Sequence, residues 1–108
     1  MFYCYDQNNS GGFFDINDSV AHYVFIEADS ANEADDRAED VGIYFNGVND
    51  DRDCECCGDR WSTACRNDGT VEPMIYGTPV ASFTDMFAQE GKPYAYVYYK
   101  DGRKESFQ

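Results

Sequence analysis

Three cysteines lie within four consecutive residues, in the run Cys54-Glu55-Cys56-Cys57. Cys54 and Cys57 have the C-x-x-C spacing, and Gly58 follows them directly. This pattern is typical of a metal knuckle, in which a tight turn points two thiolates at one ion. The run therefore predicts a turn whose thiols face the same side.

A structural zinc ion is one interpretation of these thiols. A tetrahedral zinc site needs four ligands, and the candidate ligands of the block and its neighbourhood are Cys54, Cys57, Cys65 and Cys56. Cys4 and the only histidine, His22, are the other candidates for the fourth position. Reduced cysteines packed as small apolar groups are the alternative. Redox chemistry is a third interpretation. The surrounding carboxylates are expected to raise the thiol pKa, however, and so to oppose formation of the thiolate that such chemistry needs.

Positive charge is scarce in this chain, and much of it lies beside the cysteines. Three of the eight basic residues and the only tryptophan are found there: Arg52, Arg60, Arg66 and Trp61. Guanidinium groups and an indole ring can together hold a phosphate, a carboxylate or a nucleotide base. A small anionic ligand is therefore one interpretation, and local pairing of the arginines with nearby aspartates is the other.

Patterns that identify enzymes are missing from the sequence. It contains no phosphate-binding loop, no dinucleotide fingerprint, no zinc-protease motif and no nucleophile elbow. His22 lies in a predicted strand, where a lone histidine is more often structural than a general base. We expect a protein that is not an enzyme.

The charge balance is strongly acidic. The chain has 8 Lys and Arg against 21 Asp and Glu, a formal net charge of −13. Nucleic acids and anionic membranes would repel such a molecule, because both are bound through cations that neutralise phosphate. A partner protein with a basic surface would attract it. Solubility alone is the other interpretation of the charge.

The chain length of 108 residues predicts a single domain spanning residues 1–108. The sequence holds no apolar run of about 18 residues, so no membrane span is expected. The first residues lack the basic start and apolar stretch of a signal peptide. Together with five cysteines, an odd number, this favours a cytoplasmic location over a secreted, disulfide-bonded one.

One helix is predicted after residue 30. Ser30 and Glu33 have the spacing of a capping box, and Gly42 stands where a left-handed cap is wanted. Alanines recur between them on one narrow stripe, which lets a helix lie close to a sheet. Glu33 and Arg37 are expected to pair across one turn. A second helix is predicted to start at Ser82, with Asp85 in its first turn, and to run toward Gly91.

Strand-like segments, rich in β-branched and aromatic residues, surround this helix. They are Met1–Tyr5, Phe13–Ile16, His22–Glu27, Ile43–Phe45, Pro73–Tyr76, Tyr94–Lys100 and Arg103–Phe107. Asp101-Gly102 predicts a type I′ hairpin between the last two, and residues 46–72 are expected to be irregular. The fold class is therefore α+β, with a mainly antiparallel sheet of four or five strands carrying one or two helices.

Two parts of the sequence resemble a family of small acidic proteins of tailed bacteriophages. They are the block Asp53-Cys54-Glu55-Cys56-Cys57-Gly58-Asp59-Arg60-Trp61 and the run Phe25-Ile26-Glu27-Ala28-Asp29 leading into Ala34, Ala38 and Gly42-Ile43. The resemblance covers most of the chain. It implies expression inside an infected bacterium, and hence the host cytoplasm, and it transfers no catalytic residue.

In that setting three hypotheses compete. The first is a non-enzymatic protein that binds and inhibits a host or defence protein, as a mimic of nucleic acid, because acidic side chains suit a basic groove and tyrosines supply anchor contacts. The second is a binder of small anionic ligands such as nucleotides. The third is a structural module stabilised by zinc.

Overall fold

The computed structural model describes residues 1–9, 12, 14–64, 69–86 and 88–108. Its elements follow in chain order as β1 (Phe2–Asp6), β2 (Tyr23–Glu27), α1 (Ala31–Asp40), β3 (Met74–Ile75), β4 (Thr78–Pro79), a short 3₁₀ helix (Val80–Ser82), β5 (Ala95–Tyr98) and β6 (Lys104–Phe107). No helix among the described residues is both long and apolar enough to cross a membrane.

A four-stranded sheet in the order β1-β2-β5-β6 forms the centre of the molecule. β1 pairs with β2 and β5 with β6 in antiparallel fashion, whereas β2 and β5 run parallel. β3 and β4 form a separate two-stranded sheet. The α+β class and the four-stranded, mainly antiparallel sheet are thus confirmed, and the parallel central pair is an addition that the sequence did not predict.

The first predicted helix is confirmed, with both of its ends. The Ser30 hydroxyl accepts the backbone N–H of Glu33, and the Glu33 carboxylate accepts that of Asp29, one residue before the expected partner. Gly42 has φ +106°, and the N–H groups of Gly42 and Ile43 reach the carbonyls of Glu39 and Ala38. These bonds make a Schellman cap, which satisfies the carbonyls left over at the end of the helix.

Apolar side chains cover both faces of the sheet. On one face, α1 places its buried alanines against alternate residues of β1 and β2, with Ile43 and Trp61 beside them; we call this the helix-side cluster. On the other face, the β3–β4 hairpin and the 3₁₀ helix place Ile75 and Val80 against Phe25 and Val97; we call this the hairpin-side cluster. The central strands are therefore buried on both sides, as expected for strands with near-continuous apolar runs.

Several predicted elements are wrong. Residues 14–16 and 43–45 form no strand. Ile43 instead packs into the helix-side cluster directly after the helix cap. Arg37 makes no ion pair with Glu33; its guanidinium donates to the carbonyls of Glu27 and Tyr99. These carbonyls belong to segments packed under the helix, so tertiary contacts outweigh the local pair.

The second helix and the last turn also differ from expectation. Ser82 ends the 3₁₀ helix, and no helix begins there among the described residues. The carboxylate of Asp85 binds the imidazole of His22, which lies 63 positions away in the sequence. The β5–β6 connection is a three-residue loop in which Tyr99 still pairs with Arg103, and Gly102 has φ +93°. A turn followed by a left-handed glycine is the usual alternative to a type I′ turn.

Candidate functional site

Arg60, predicted as a ligand-binding residue, is a buried structural cation. Its side chain is 5% exposed. The Nε atom lies 3.3 Å from Asp15 Oδ2 and 3.7 Å from Asp53 Oδ1. The guanidinium also donates to Gln7 Oε1 at 3.0 Å and to the Tyr44 hydroxyl at 3.3 Å. A guanidinium held on so many sides is satisfied by this chain alone.

Asp53 is the buried counterpart of Arg60. Its side chain is fully buried, and it accepts the Tyr44 hydroxyl at 2.6 Å and the Arg60 backbone N–H at 2.8 Å. A buried carboxylate tolerates burial only when such donors and a cation surround it. The loop of residues 46–60 is therefore organised around this ion pair.

Trp61 and Arg52, two of the other predicted ligand-binding residues, do not gather around an open cavity with Arg60. Trp61 is 1% exposed and lies in the helix-side core, so its ring presents no plate to solvent. Arg52 is exposed and stacks over the Tyr44 ring, with 3.7 Å from its guanidinium carbon to the ring centroid. Arg66 lies outside the described residues. This arrangement favours local pairing over a binding pocket at Arg60.

The cysteine block forms the expected tight turn at the surface. The carbonyl of Cys54 accepts the backbone N–H groups of Cys57 at 3.2 Å and Gly58 at 3.1 Å. Gly58 has φ +84°, and the Asn8 amide anchors the turn by donating to the Cys57 carbonyl at 2.7 Å. Cys56 is exposed, like Cys54 and Cys57.

The thiol pKa in this turn differs from the expectation. The backbone N–H of Cys57, followed by the Cys57 thiol and the backbone N–H of Cys56, lowers the pKa of Cys54. The prediction that the neighbouring carboxylates raise it is therefore wrong for this residue, because nearby donors act more strongly than more distant charges.

Zinc binding stays a prediction. Among the described residues, no group of three or more His, Cys, Asp or Glu side chains is placed to hold a metal ion. Cys65 lies outside these residues. The other two candidates for the fourth ligand are engaged elsewhere: Cys4 packs against the hairpin-side cluster, and both ring nitrogens of His22 face carboxylates.

A second cluster, which the sequence did not reveal, surrounds His22 at the start of β2. Its Nδ1 lies 2.8 Å from Oδ2 of Asp85, and its Nε2 lies 3.3 Å from Oδ1 of Asp6. The imidazole stacks on Tyr23 with ring centroids 4.1 Å apart, and Phe14 covers it at 4.3 Å. The ring is thus fixed by two carboxylates at its edges and two aromatic rings near its faces.

The protonation of His22 follows from these contacts. Burial lowers the pKa of His22, but the hydrogen bonds that its ring donates to Asp6 and Asp85, together with the negative charges of these two residues, outweigh burial, so the net shift is upward. Protonated His22 donates to a carboxylate from each ring nitrogen. The trio then carries a net negative charge, because two carboxylates face one imidazolium.

Tyr76 projects from the tip of the β3–β4 hairpin beside this trio. Tyr76 and Gly77 form a two-residue turn with φ +50° and +82°, the signs that a type I′ turn requires. Its ring is 82% exposed. The hydroxyl donates to Oδ2 of Asp6 at 3.0 Å. A tyrosine at this position is strained, because only Gly, Asn and Asp adopt such angles readily.

These residues line an open cavity of about 430 Å³, which we call the His22 groove. Its lining residues are Asp6, His22, Tyr23, Tyr76, Phe83, Thr84, Asp85 and Met86. A neighbouring cavity of about 260 Å³ shares Asp6, Tyr23 and Tyr76. Met86 is 86% exposed at the rim. The groove therefore combines a carboxylate floor with aromatic and thioether walls.

The comparisons with known proteins assign the chain to a family but identify no activity. A family model described as a domain of unknown function (DUF7296) matches residues 1–108. The chain belongs to this family. No curated protein and no solved structure matches the chain.

Proposed function

We propose that this protein is a non-enzymatic acidic accessory protein that binds and inhibits a bacterial host or defence protein by presenting the charge of a nucleic acid. The phage setting comes from the resemblance of the cysteine block and the residues around α1. The inhibitory role is inferred from the distribution of charge, and membership of a family of unknown function neither adds to it nor opposes it.

The observation that carries the proposal is the engagement of the cations within the chain. Arg60 is buried with Asp53, and the Arg37 guanidinium donates to main-chain carbonyls. Nζ of Lys100 lies 2.6 Å from Asp29, and Nε of Arg103 lies 2.8 Å from Asp101. These four cations thus have partners within the chain, and Asp and Glu outnumber Lys and Arg by 21 to 8.

Exposed carboxylates are spread over the described residues, and two segments carry several each. The outer face of α1, and the loop that leads into and includes the cysteine block, carry Asp36, Glu39, Asp40, Asp50, Asp51 and Glu55, all exposed. A partner with a positive cleft would experience attraction over about a Debye length, roughly 10 Å at moderate salt. Such a field raises the rate of association and rejects acidic competitors.

The density of charge is comparable with that of DNA. The molecule measures 34 Å along its longest axis, and B-DNA of that length carries about 20 phosphates at one charge per about 1.7 Å. The net charge of −13 is therefore about two thirds of that value. A nucleic-acid-binding protein is the class of partner that this density fits best.

A retention experiment tests the proposal. The immobilised protein is exposed to a bacterial lysate at about 50 mM salt and washed at about 500 mM, where screening shortens the Debye length several-fold. We expect a nucleic-acid-binding protein to be retained at low salt and released at high salt. Duplex DNA should also release it, because both ligands would occupy the same basic surface.

A matched pair of variants separates charge from shape. Asp36→Asn/Glu39→Gln/Asp40→Asn removes three charges from α1, whereas Asp36→Glu/Glu39→Asp/Asp40→Glu keeps them. Retention should fall with the first variant and persist with the second. If no bacterial protein is retained at low salt, or if duplex DNA leaves the retained protein bound, the proposal is wrong.

A further inference from the structure

We propose that the His22 groove binds an arginine side chain of the partner protein, with the guanidinium on the carboxylate of Asp6 and its plane against the ring of Tyr76. This inference rests on the proposed function and deepens it, since it names the anchor contact within a larger electrostatic interface. The groove supplies the contacts that discriminate between basic partners, whereas the exposed carboxylates supply attraction at a distance.

The position of Tyr76 is the first reason. Its ring is 82% exposed, so packing does not explain why an aromatic residue occupies a turn with φ +50°. Backbone strain of this kind persists when the rest of the structure holds it in place, and it clusters at binding sites. Glycine or asparagine would make the same turn with less strain. The side chain makes one hydrogen bond within the chain, to Asp6, and the exposure of the residue leaves its ring open to a contact outside the chain.

The chemistry of the groove is the second reason. Asp6 is 45% exposed, so its carboxylate, although contacted by His22 and Tyr76, still faces the groove. Tyrosine faces attract cations, and guanidinium groups stack on them in preference to ammonium groups. Met86 offers a flexible, polarisable wall for the aliphatic stem of an arginine.

The chain itself contains the contact that we infer. The Arg103 guanidinium carbon lies 4.2 Å from the ring centroid of Tyr99, and its Nε lies 2.8 Å from Oδ2 of Asp101. The hydroxyl of Tyr99 donates to the carboxylate of Glu105, as that of Tyr76 donates to Asp6. A tyrosine ring next to an aspartate thus holds an arginine within this molecule, and the groove presents the same pair of groups to a partner.

Peptide binding tests the inference on the full chain. Fluorescence anisotropy is measured with labelled nona-arginine and nona-lysine at about 150 mM salt, where long-range attraction is largely screened. We expect nona-arginine to bind more tightly, and Tyr76→Gly and Asp6→Asn each to weaken it about tenfold. Asp36→Asn, which removes one exposed charge from α1, is the matched control and should change affinity less than about threefold.

Tyr76→Gly keeps the test independent of folding, because glycine adopts the turn without strain. In ¹⁵N spectra, nona-arginine should shift the amide signals of His22 and Met86 in the wild-type protein but not in this variant. The inference is overturned if the two peptides bind equally, if Tyr76→Gly binds as the wild type does, or if the protein self-associates through this face instead.

Failure of this inference differs from failure of the proposed function. If bacterial partners are retained and released by salt while the groove variants behave as the wild type does, only the arginine site is rejected. If neither the peptides nor any bacterial protein binds, both are rejected together.

Discussion

The Arg60 network and the His22 groove are built from the same kinds of group, yet they differ in access. Each places a cation between two aspartates with a tyrosine hydroxyl beside it. Arg60 is closed in by the loop that it organises, whereas His22 lies at the base of a cavity whose rim residues Tyr76 and Met86 are exposed. The two cations are buried to a similar degree, so the clusters differ not in the burial of the cation but in the open cavity beside His22.

The largest expected effect is the loss of the Arg60 cation. Arg60→Met leaves the carboxylate of Asp53 buried without its counter-charge, and we expect the free energy of unfolding to fall by about 3–5 kcal/mol. Arg52→Met, which removes an exposed guanidinium stacked on the same tyrosine, should cost less than about 1 kcal/mol. Urea denaturation measures both.

A double variant sharpens this prediction. Arg60→Met/Asp53→Asn removes both charges of the ion pair and leaves no buried carboxylate without a counter-charge. Part of the stability lost in Arg60→Met should therefore return. Equal losses for Arg60→Met and Arg52→Met would mean that the network does not organise the loop.

The next effect is a pH dependence that distinguishes the two clusters. The net pKa of His22 is raised in the folded protein, as burial is outweighed by Asp6 and Asp85, while Tyr23 faces the ring as a neutral phenol. The contribution of protonated His22 to the free energy of unfolding is therefore complete below the pKa of about 6.5 that histidine has in the unfolded chain. This contribution disappears as pH rises through the higher pKa of the folded protein. Arg60 stays charged throughout.

Urea denaturation between about pH 5.5 and 9 checks this difference. At the acid end, the free energy of unfolding of the wild-type protein should exceed that of His22→Gln by about 1.5–3 kcal/mol, since hydrogen bonds to charged groups contribute about that much. This difference in the free energy of unfolding should become smaller toward pH 9. A gap that widens as pH rises would contradict the assignment of an imidazolium between the two carboxylates.

The smallest expected effect concerns Tyr76. Replacing it with glycine removes strain and a mostly exposed ring, so stability should stay level or increase by up to about 1 kcal/mol. Tyr44→Phe is the contrast, because it takes a hydroxyl from the buried Asp53 and should cost about 1–2 kcal/mol. A clear loss of stability in Tyr76→Gly would show that the ring serves the fold rather than a partner.

Local signals in the sequence were sufficient for some elements and not for others. The helix over Ala31–Asp40 could be predicted, because Ser30, the alanine stripe and Gly42 act within a few residues of each other. The parallel pairing of β2 with β5 could not, since it joins segments separated by most of the chain. Ser82 and Asp85 had the spacing of a helix start, but the imidazole of His22 competes for that carboxylate.

In the candidate site, too, features set by nearby residues could be predicted and features set by distant contacts could not. The tight turn at Cys54–Gly58 and the pairing of Arg60 with Asp53 follow from short-range spacing, whereas the contact of Arg60 with Asp15 does not. The His22 groove draws on β1, β2, the β3–β4 hairpin and the segment after it, so no spacing in the sequence reveals it. The sequence contains two signals of this site, the single histidine His22 and the Tyr76-Gly77 pair between two strand-like segments. Neither signal identifies the residues that it contacts in the folded protein.

The parallel pairing of β2 and β5 has a consequence for synthesis. β5, which completes the centre of the sheet, is synthesised after β2, α1, β3 and β4, so a nascent polypeptide that has reached only β4 leaves one edge of β2 without a hydrogen-bonding neighbour. Unpaired strand edges of this kind can pair with other chains, and pairings between distant segments also form slowly. Rapid synthesis of the β5–β6 hairpin, and a strong excess of negative charge that keeps unfinished chains apart, would both protect the protein while it matures.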